Sequence, residues 1–201
     1  MEITIEMIKE LRAKTNAGVL DCRKALIETK GDFQKAVDWL TEKGMATAAK
    51  RADRVASNGT VEMYSHGGGR VGVMVEVNCE TDFVARSNAF RTFAHEVALQ
   101  IAAASPKYIS ENDIPADVIA SESEKARKLA VDEGKPEAVA VKIVEGRLNK
   151  MKDEACLLRQ VYIRDDNLTI EKLLHQTISS TGENIVIRRF QRWELGEGLG
   201  E

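Results

Sequence analysis

Three histidines, three cysteines and two glycine runs are the features of this sequence whose types could carry chemistry. His66, His95 and His175 are far apart, and none has a second histidine or a cysteine at ligand spacing, so no metal site is expected. Cys22, Cys79 and Cys156 are odd in number and form no CxxC, which reads as buried reduced thiols rather than a disulfide framework or a zinc site. Gly67-Gly68-Gly69 is followed by Arg70 and a strand pattern, not by Lys, Ser or Thr and a helix, so it reads as a hairpin turn and not a phosphate loop. The run Gly196, Gly198, Gly200 has no helix behind it to present amides to a phosphate. The carboxylates are scattered, as on solvated helix faces. The expectation is a protein that is not an enzyme, with no catalytic residue, no cofactor and no direct nucleotide binding.

One further segment is Thr81-Asp82-Phe83-Val84, where a strand pattern gives way to a helical one. Thr81 suits an N-cap and Asp82 the first turn of a helix. Phe83 and Val84 follow directly, an aromatic beside an acid. On residue type alone Phe83 reads as core and Asp82 as a cap, because buried aromatics usually belong to cores.

The elements that must position these residues come from a chain of 201 residues, 43% apolar and 30% charged, with a net charge of -3. That balance suits a globular protein with enough apolar side chains for a core. The charge argues against a general nucleic-acid binder. No apolar run approaches the ~18 residues of a membrane span, and Met1-Glu2-Ile3-Thr4 begins neither a signal nor a transit peptide, so a cytoplasmic location is expected.

Residues 1–44 read as three short helices. Thr4 caps the first, which carries Met7, Ile8 and Leu11 on one face. Asn16-Ala17-Gly18 is a turn. The second helix carries Cys22, Ala25, Leu26 and Thr29, and Gly31 stops it. Asp32 caps the third, whose stripe is Phe33, Ala36, Val37 and Leu40, with Gly44 as its terminal glycine. Residues 45–58 lack large apolar side chains apart from Met45 and Val55 and read as a helical linker ending at the turn Ser57-Asn58-Gly59. Val61 and Met63, then Val71, Val73, Val75 and Val77, alternate as an antiparallel hairpin. Phe90, Phe93, Ala94, Val97 and Ile101 form a helical stripe ending near Ser105-Pro106. Two helices follow over 107–155, with Pro115 and Pro136 near their first turns and Gly134 between them. Residues 156–167 read as irregular. Leu168, Thr169 and Leu173 have the spacing of a staple around another helix start. The last strand runs from Asn184 to Trp193, with Ile185 and Ile187 on one side and Val186 and Phe190 on the other; the glycine-rich tail reads as frayed. Arg188, Arg189 and Arg192 read as a solvated face or as partners of acids. The fold class is α+β: a helical module (1–44), a linker (45–58) and a core of small antiparallel sheet and helices (59–201).

Two segments resemble a known family. Leu11 to Leu26, with Thr15-Asn16-Ala17-Gly18-Val19-Leu20-Asp21-Cys22-Arg23-Lys24 at its centre, continues through Gly31-Asp32 to Trp39-Leu40. It resembles the ubiquitin-associated-like N-terminal module of elongation factor Ts. Val77-Asn78-Cys79-Glu80-Thr81-Asp82-Phe83-Val84-Ala85-Arg86 is similar to the same family's signature, and Asn184 to Gly196 looks like its closing strand.

The resemblance implies a translation factor of the cytoplasm that promotes GDP release from the GTPase elongation factor Tu. It assigns Thr81, Asp82, Phe83 and Val84 to that partner, with Phe83 in an apolar pocket and Asp82 near the partner's Mg²⁺. This reverses the core reading of Phe83. Gly18, Val19 and Leu20 are implied as a second contact, although Val19 and Leu20 serve equally well to close the module's own core. The family's longer members hold two core halves and a coiled-coil insertion; this chain reads as one core unit without a heptad hairpin. Its uncovered sheet edges lead to the expectation of a homodimer paired through the sheets. The alternative is a protein-interaction adaptor that uses only the helical module.

Overall fold

The structure is a computed structural model, and it describes residues 3–15 and 17–198. These residues form eight α-helices and five strands in an α+β arrangement that divides into two compact units. One comprises 1–102 and 171–201, the other 103–170.

The first unit opens with α1 (Ile5–Thr15), α2 (Val19–Glu28) and α3 (Phe33–Ala49). Thr4 Oγ1 accepts from the Met7 amide and Asp32 Oδ1 from the Lys35 amide, so both expected caps are made. Gly31 takes the left-handed conformation (φ 82°) that ends α2. Leu11, Cys22, Ala25, Leu26, Ala36 and Leu40 are buried together as the small core of this module. Asn16, placed in a turn from the sequence, lies outside the described residues.

Helix α3 does not stop at Gly44. It continues to Ala49, and Gly44 is a buried mid-helix residue. A Cβ there would stand 3.7 Å from the backbone oxygen of His175, on α8 (Ile170–Thr181). That is an ordinary van der Waals distance, so a methyl group would fit there, and tertiary packing beside α8 offsets the glycine's poor helix propensity. The only segment between α3 and the first strand is 50–57, a turn and an extended stretch.

Strands β1 (Asn58–His66), β2 (Val71–Cys79) and β5 (Ile185–Glu194) make an antiparallel sheet in the order β1-β2-β5. Asn58 and Gly59 belong to β1 and pair with Cys79 and Asn78. Gly59 has φ 147°, and a Cβ on it would stand 2.1 Å from the Val77 carbonyl oxygen. On the inner face, Val73, Val75, Val77, Cys79, Ile185 and Ile187 are buried, as are Phe90, Phe93, Val97 and Ile101 of α5 (Asn88–Ala104). Tyr64 and His95 pack edge-to-face at 5.6 Å, and Glu62 Oε1 lies 2.9 Å from His95 Nδ1, tying β1 to α5.

Register decides two facings, the second of them against expectation. Val61 and Met63 point outward while Thr60, Glu62 and Tyr64 turn inward, because Glu62 stands opposite Val75. A bulge between Glu76 and Val77 on the β5 side leaves Arg188 unpaired in the ladder, so Phe190 stands opposite Val75. Phe190 therefore shares the inner face with Ile185 and Ile187 rather than the outer face with Val186. An extra residue inverts the alternation beyond it.

In the second unit, α6 (Ala116–Asp132) and α7 (Glu137–Ala155) form a helical hairpin around the Gly134 turn (φ 67°). The two helices expected on either side of Gly134 are present, and they pack against each other. The buried residues of the two helices are Ala126, Ala130 and Ala140. Small residues allow close packing but leave no large apolar heptad to be read. Residues 156–167 also carry regular structure, with β3 (Val161–Tyr162) pairing antiparallel with β4 (Asp165–Thr169). Glu111 bonds to both Lys152 (2.7 Å) and Arg159, which hold its carboxyl below the usual carboxylate range.

Candidate functional site

After β2, the chain turns at Glu80-Thr81 into α4 (Asp82–Ala85), a single turn of helix. Thr81 Oγ1 accepts from the Val84 amide at 3.3 Å, as an N-cap should. Val84 and Ala85 face inward and are buried. Phe83 faces the other way, 82% exposed, which makes it the most exposed aromatic among the described residues. Asp82 is also exposed, and its Oδ2 accepts from Arg86 at 2.7 Å across one helical turn. Both side chains are wet, so the pair contributes about 0.3–0.5 kcal/mol and leaves the carboxylate open to exchange partners. Of the four residues singled out by sequence, Thr81 and Val84 thus anchor the turn, and Asp82 and Phe83 project from it.

The turn is held from its base by side chains distant in sequence. Glu183, between α8 and β5, accepts through Oε2 from the amides of Glu80 and Thr81, both at 3.0 Å. Its Oε1 accepts from the Thr81 hydroxyl at 2.6 Å. Glu80 answers in the opposite sense: its Oε1 accepts from the Asn184 amide at 2.7 Å. Asn184 Nδ2 donates to the carbonyls of Ala52 (3.3 Å) and Arg54 (2.8 Å), and Asn58 Nδ2 to that of Glu80 (2.8 Å). Below the turn, Cys79 is buried and donates to the Thr81 carbonyl (3.2 Å); burial and the Glu183 charge push its thiol up to about 11. Sequence reasoning did not find Glu80, Glu183, Asn184 or Asn58. A Gly-Glu-Asn turn carries no local mark of a partner a hundred residues away.

Gly18 is the N-cap of α2, and Val19 and Leu20 lie in its first turn, 50% and 80% exposed. The module's core is closed without them. Gly18 lines an open polar depression of about 520 Å³ with Arg12, Asn88 and Thr92 among others; Phe83 is not part of that lining. The outer face of the sheet exposes Val61, Met63, Met74, Val186 and Trp193. Glu76 and Arg189 sit among them at 2.7 Å, and Arg189 holds the Glu76 carboxyl below its ordinary range.

These features define a class: a small α+β protein with a helical N-terminal module and an aromatic presented on a clamped turn. The family model described as Elongation factor TS matches residues 2–197. Elongation factor Ts of Caldanaerobacter subterraneus subsp. tengcongensis is 57% identical over 197 residues, covering 98% of each chain. That of Syntrophomonas wolfei is 53% identical over 98% of this chain and 92% of its own length, and that of Geobacter metallireducens 51% over 100% and 93%. The chain belongs to the elongation factor Ts family, a family of elongation factors of protein synthesis.

Proposed function

We propose that this protein speeds the release of GDP from the GTPase elongation factor Tu by pressing Asp82 and Phe83 against the partner near its Mg²⁺ and nucleotide. The observation that carries the reading is Phe83, 82% exposed on a turn whose base is tied down by Glu183 and Asn184. An apolar ring left in water on a rigid support is poised to fill a partner's pocket, and Asp82 beside it brings a carboxylate paired with an exposed arginine. Mg²⁺ demands near-ideal octahedral geometry, so displacing its ligands or waters removes charge compensation from the phosphates and the nucleotide leaves faster. Linkage makes the effect reciprocal: a factor that weakens nucleotide binding is itself bound more weakly when nucleotide is present. No bond is made or broken, so the protein works without being an enzyme. Val19 and Leu20 provide a second apolar contact on the helical module, and the cytoplasm is the site of action.

The same reading includes a homodimer in which the outer sheet faces of two copies meet, covering Val61, Met63, Met74, Val186 and Trp193. Stopped-flow release of labelled GDP from elongation factor Tu, with wild type, Asp82→Ala and Phe83→Ala proteins, tests the exchange reading. Wild type is expected to accelerate release and Phe83→Ala to lose most of that acceleration. No acceleration by wild type would end the proposal. If the protein were an adaptor acting through its helical module alone, Phe83→Ala would bind its partner unchanged.

A further inference from the structure

We infer that Glu183 is a positioning residue for exchange: its carboxylate pre-organises the Thr81-Asp82-Phe83 turn for insertion, rather than merely supporting the fold. This rests on the exchange reading above and extends it to a residue outside the contacting segment. Helix α4 is a single turn of four residues, too short to hold itself by its own hydrogen bonds. The amides of Glu80 and Thr81, the two residues that lead into it, both donate to one oxygen of Glu183. The other oxygen fixes the Thr81 hydroxyl, leaving that residue's lone pairs directed at the Val84 amide. One carboxylate thereby aligns the backbone before the turn and the cap within it.

The rest of the network explains why Glu183 can act as a fixed point. Gly182 (φ 80°) ends α8, and Glu183 sits between that helix and β5. The neighbouring Asn184 is bonded through its amide to Glu80 and through its side chain to Ala52 and Arg54. Two adjacent turns thus clasp each other reciprocally, with Glu80 reaching one way and Glu183 the other. The fold's inner face does not depend on Glu183: Val75, Val77, Ile185 and Ile187 are buried and paired in the sheet without it. Removing the carboxylate should therefore loosen the turn and leave the sheet intact. A loosened Phe83 can still meet the partner, but it must be ordered during insertion, so the loss falls on the rate of nucleotide release rather than on encounter.

The test compares full-length wild type, Glu183→Ala, Glu183→Gln and Phe83→Ala. GDP release from elongation factor Tu is followed over a range of factor concentrations, and amide hydrogen exchange is followed in the free proteins. In Glu183→Ala, protection of the Glu80 and Thr81 amides is expected to fall at least about tenfold, the size of one charge-assisted hydrogen bond, while Val75 and Val77 stay protected. The maximal release rate falls by about the same factor, with the half-saturating concentration changing by less than about threefold. Glu183→Gln keeps one oxygen able to accept both amides and retains the maximal rate within about threefold. A full maximal rate in Glu183→Ala would overturn the inference, as would protection lost evenly across the sheet or a Gln variant no better than Ala. Glu183→Ala active beside an inactive Phe83→Ala sinks the positioning role alone. Wild type and Phe83→Ala accelerating release alike sinks the insertion of Phe83 and the positioning role with it, and no acceleration by wild type sinks the exchange reading itself.

Discussion

Replacing Phe83 by Ala separates a side chain that works on a partner from one that works for its own fold. A phenylalanine carries roughly 200 Å² of surface. In the free protein Phe83 is 82% exposed, so less than a fifth of that area rests on its own chain. At about 25 cal/mol per Å² the truncation removes at most about 1 kcal/mol from folding stability. A buried phenylalanine such as Phe90, fully inaccessible in the α5 core, would cost about 3–5 kcal/mol. Burial of the exposed part of Phe83 in a partner pocket is worth about 4 kcal/mol by the same coefficient, and interface anchors commonly measure about 2–4 kcal/mol. Phe83→Ala should thus slow stimulated GDP release by about 30- to 1000-fold while shifting the urea midpoint only slightly. Stopped-flow fluorescence gives the first quantity and equilibrium unfolding the second. Unchanged stimulation would refute the reasoning, and so would a stability loss as large as that of Phe90→Ala.

Other outcomes follow from the same geometry. Gly59→Ala introduces a Cβ 2.1 Å from the Val77 carbonyl at φ 147°, so it should destabilise by about 2–5 kcal/mol in urea unfolding; a neutral result would mean that β1 can shift its register freely. Wild type should sediment as a dimer at micromolar concentration and Met63→Lys as a monomer with unchanged circular dichroism, since Met63 is exposed on the outer sheet face; a monomeric wild type would exclude sheet pairing. Cys22, Cys79 and Cys156 are buried, with thiols pushed up chiefly by burial, Cys79 to about 11. At pH 8 only about one Cys79 in a thousand is a thiolate, so an aromatic disulfide reagent should label none of the three until denaturant is added; fast labelling of the native protein would contradict this packing.

The sequence by itself determined whatever depends on near neighbours. Caps at Thr4 and Asp32, the stop at Gly31, the valine alternation of β2 and the apolar stripe of α5 are local patterns, and each appears in the structure where its residues stand. The family was legible for the same reason, since its marks are short runs such as Thr81-Asp82-Phe83-Val84. Only the tertiary structure decided the features that depend on pairing between distant segments. Gly44 reads locally as a helix stop, but α3 runs through it and buries it beside α8. The bulge at Arg188 turns Phe190 inward, and the register opposite Val75 turns Val61 and Met63 outward. The hairpin of α6 and α7 closes on alanines too small to announce a seam. Glu183 meets Thr81 across 102 positions of sequence because two turns come together at one end of the sheet. Hydrogen bonds and burial across such separations are set by register and topology, which no window of neighbouring residues contains.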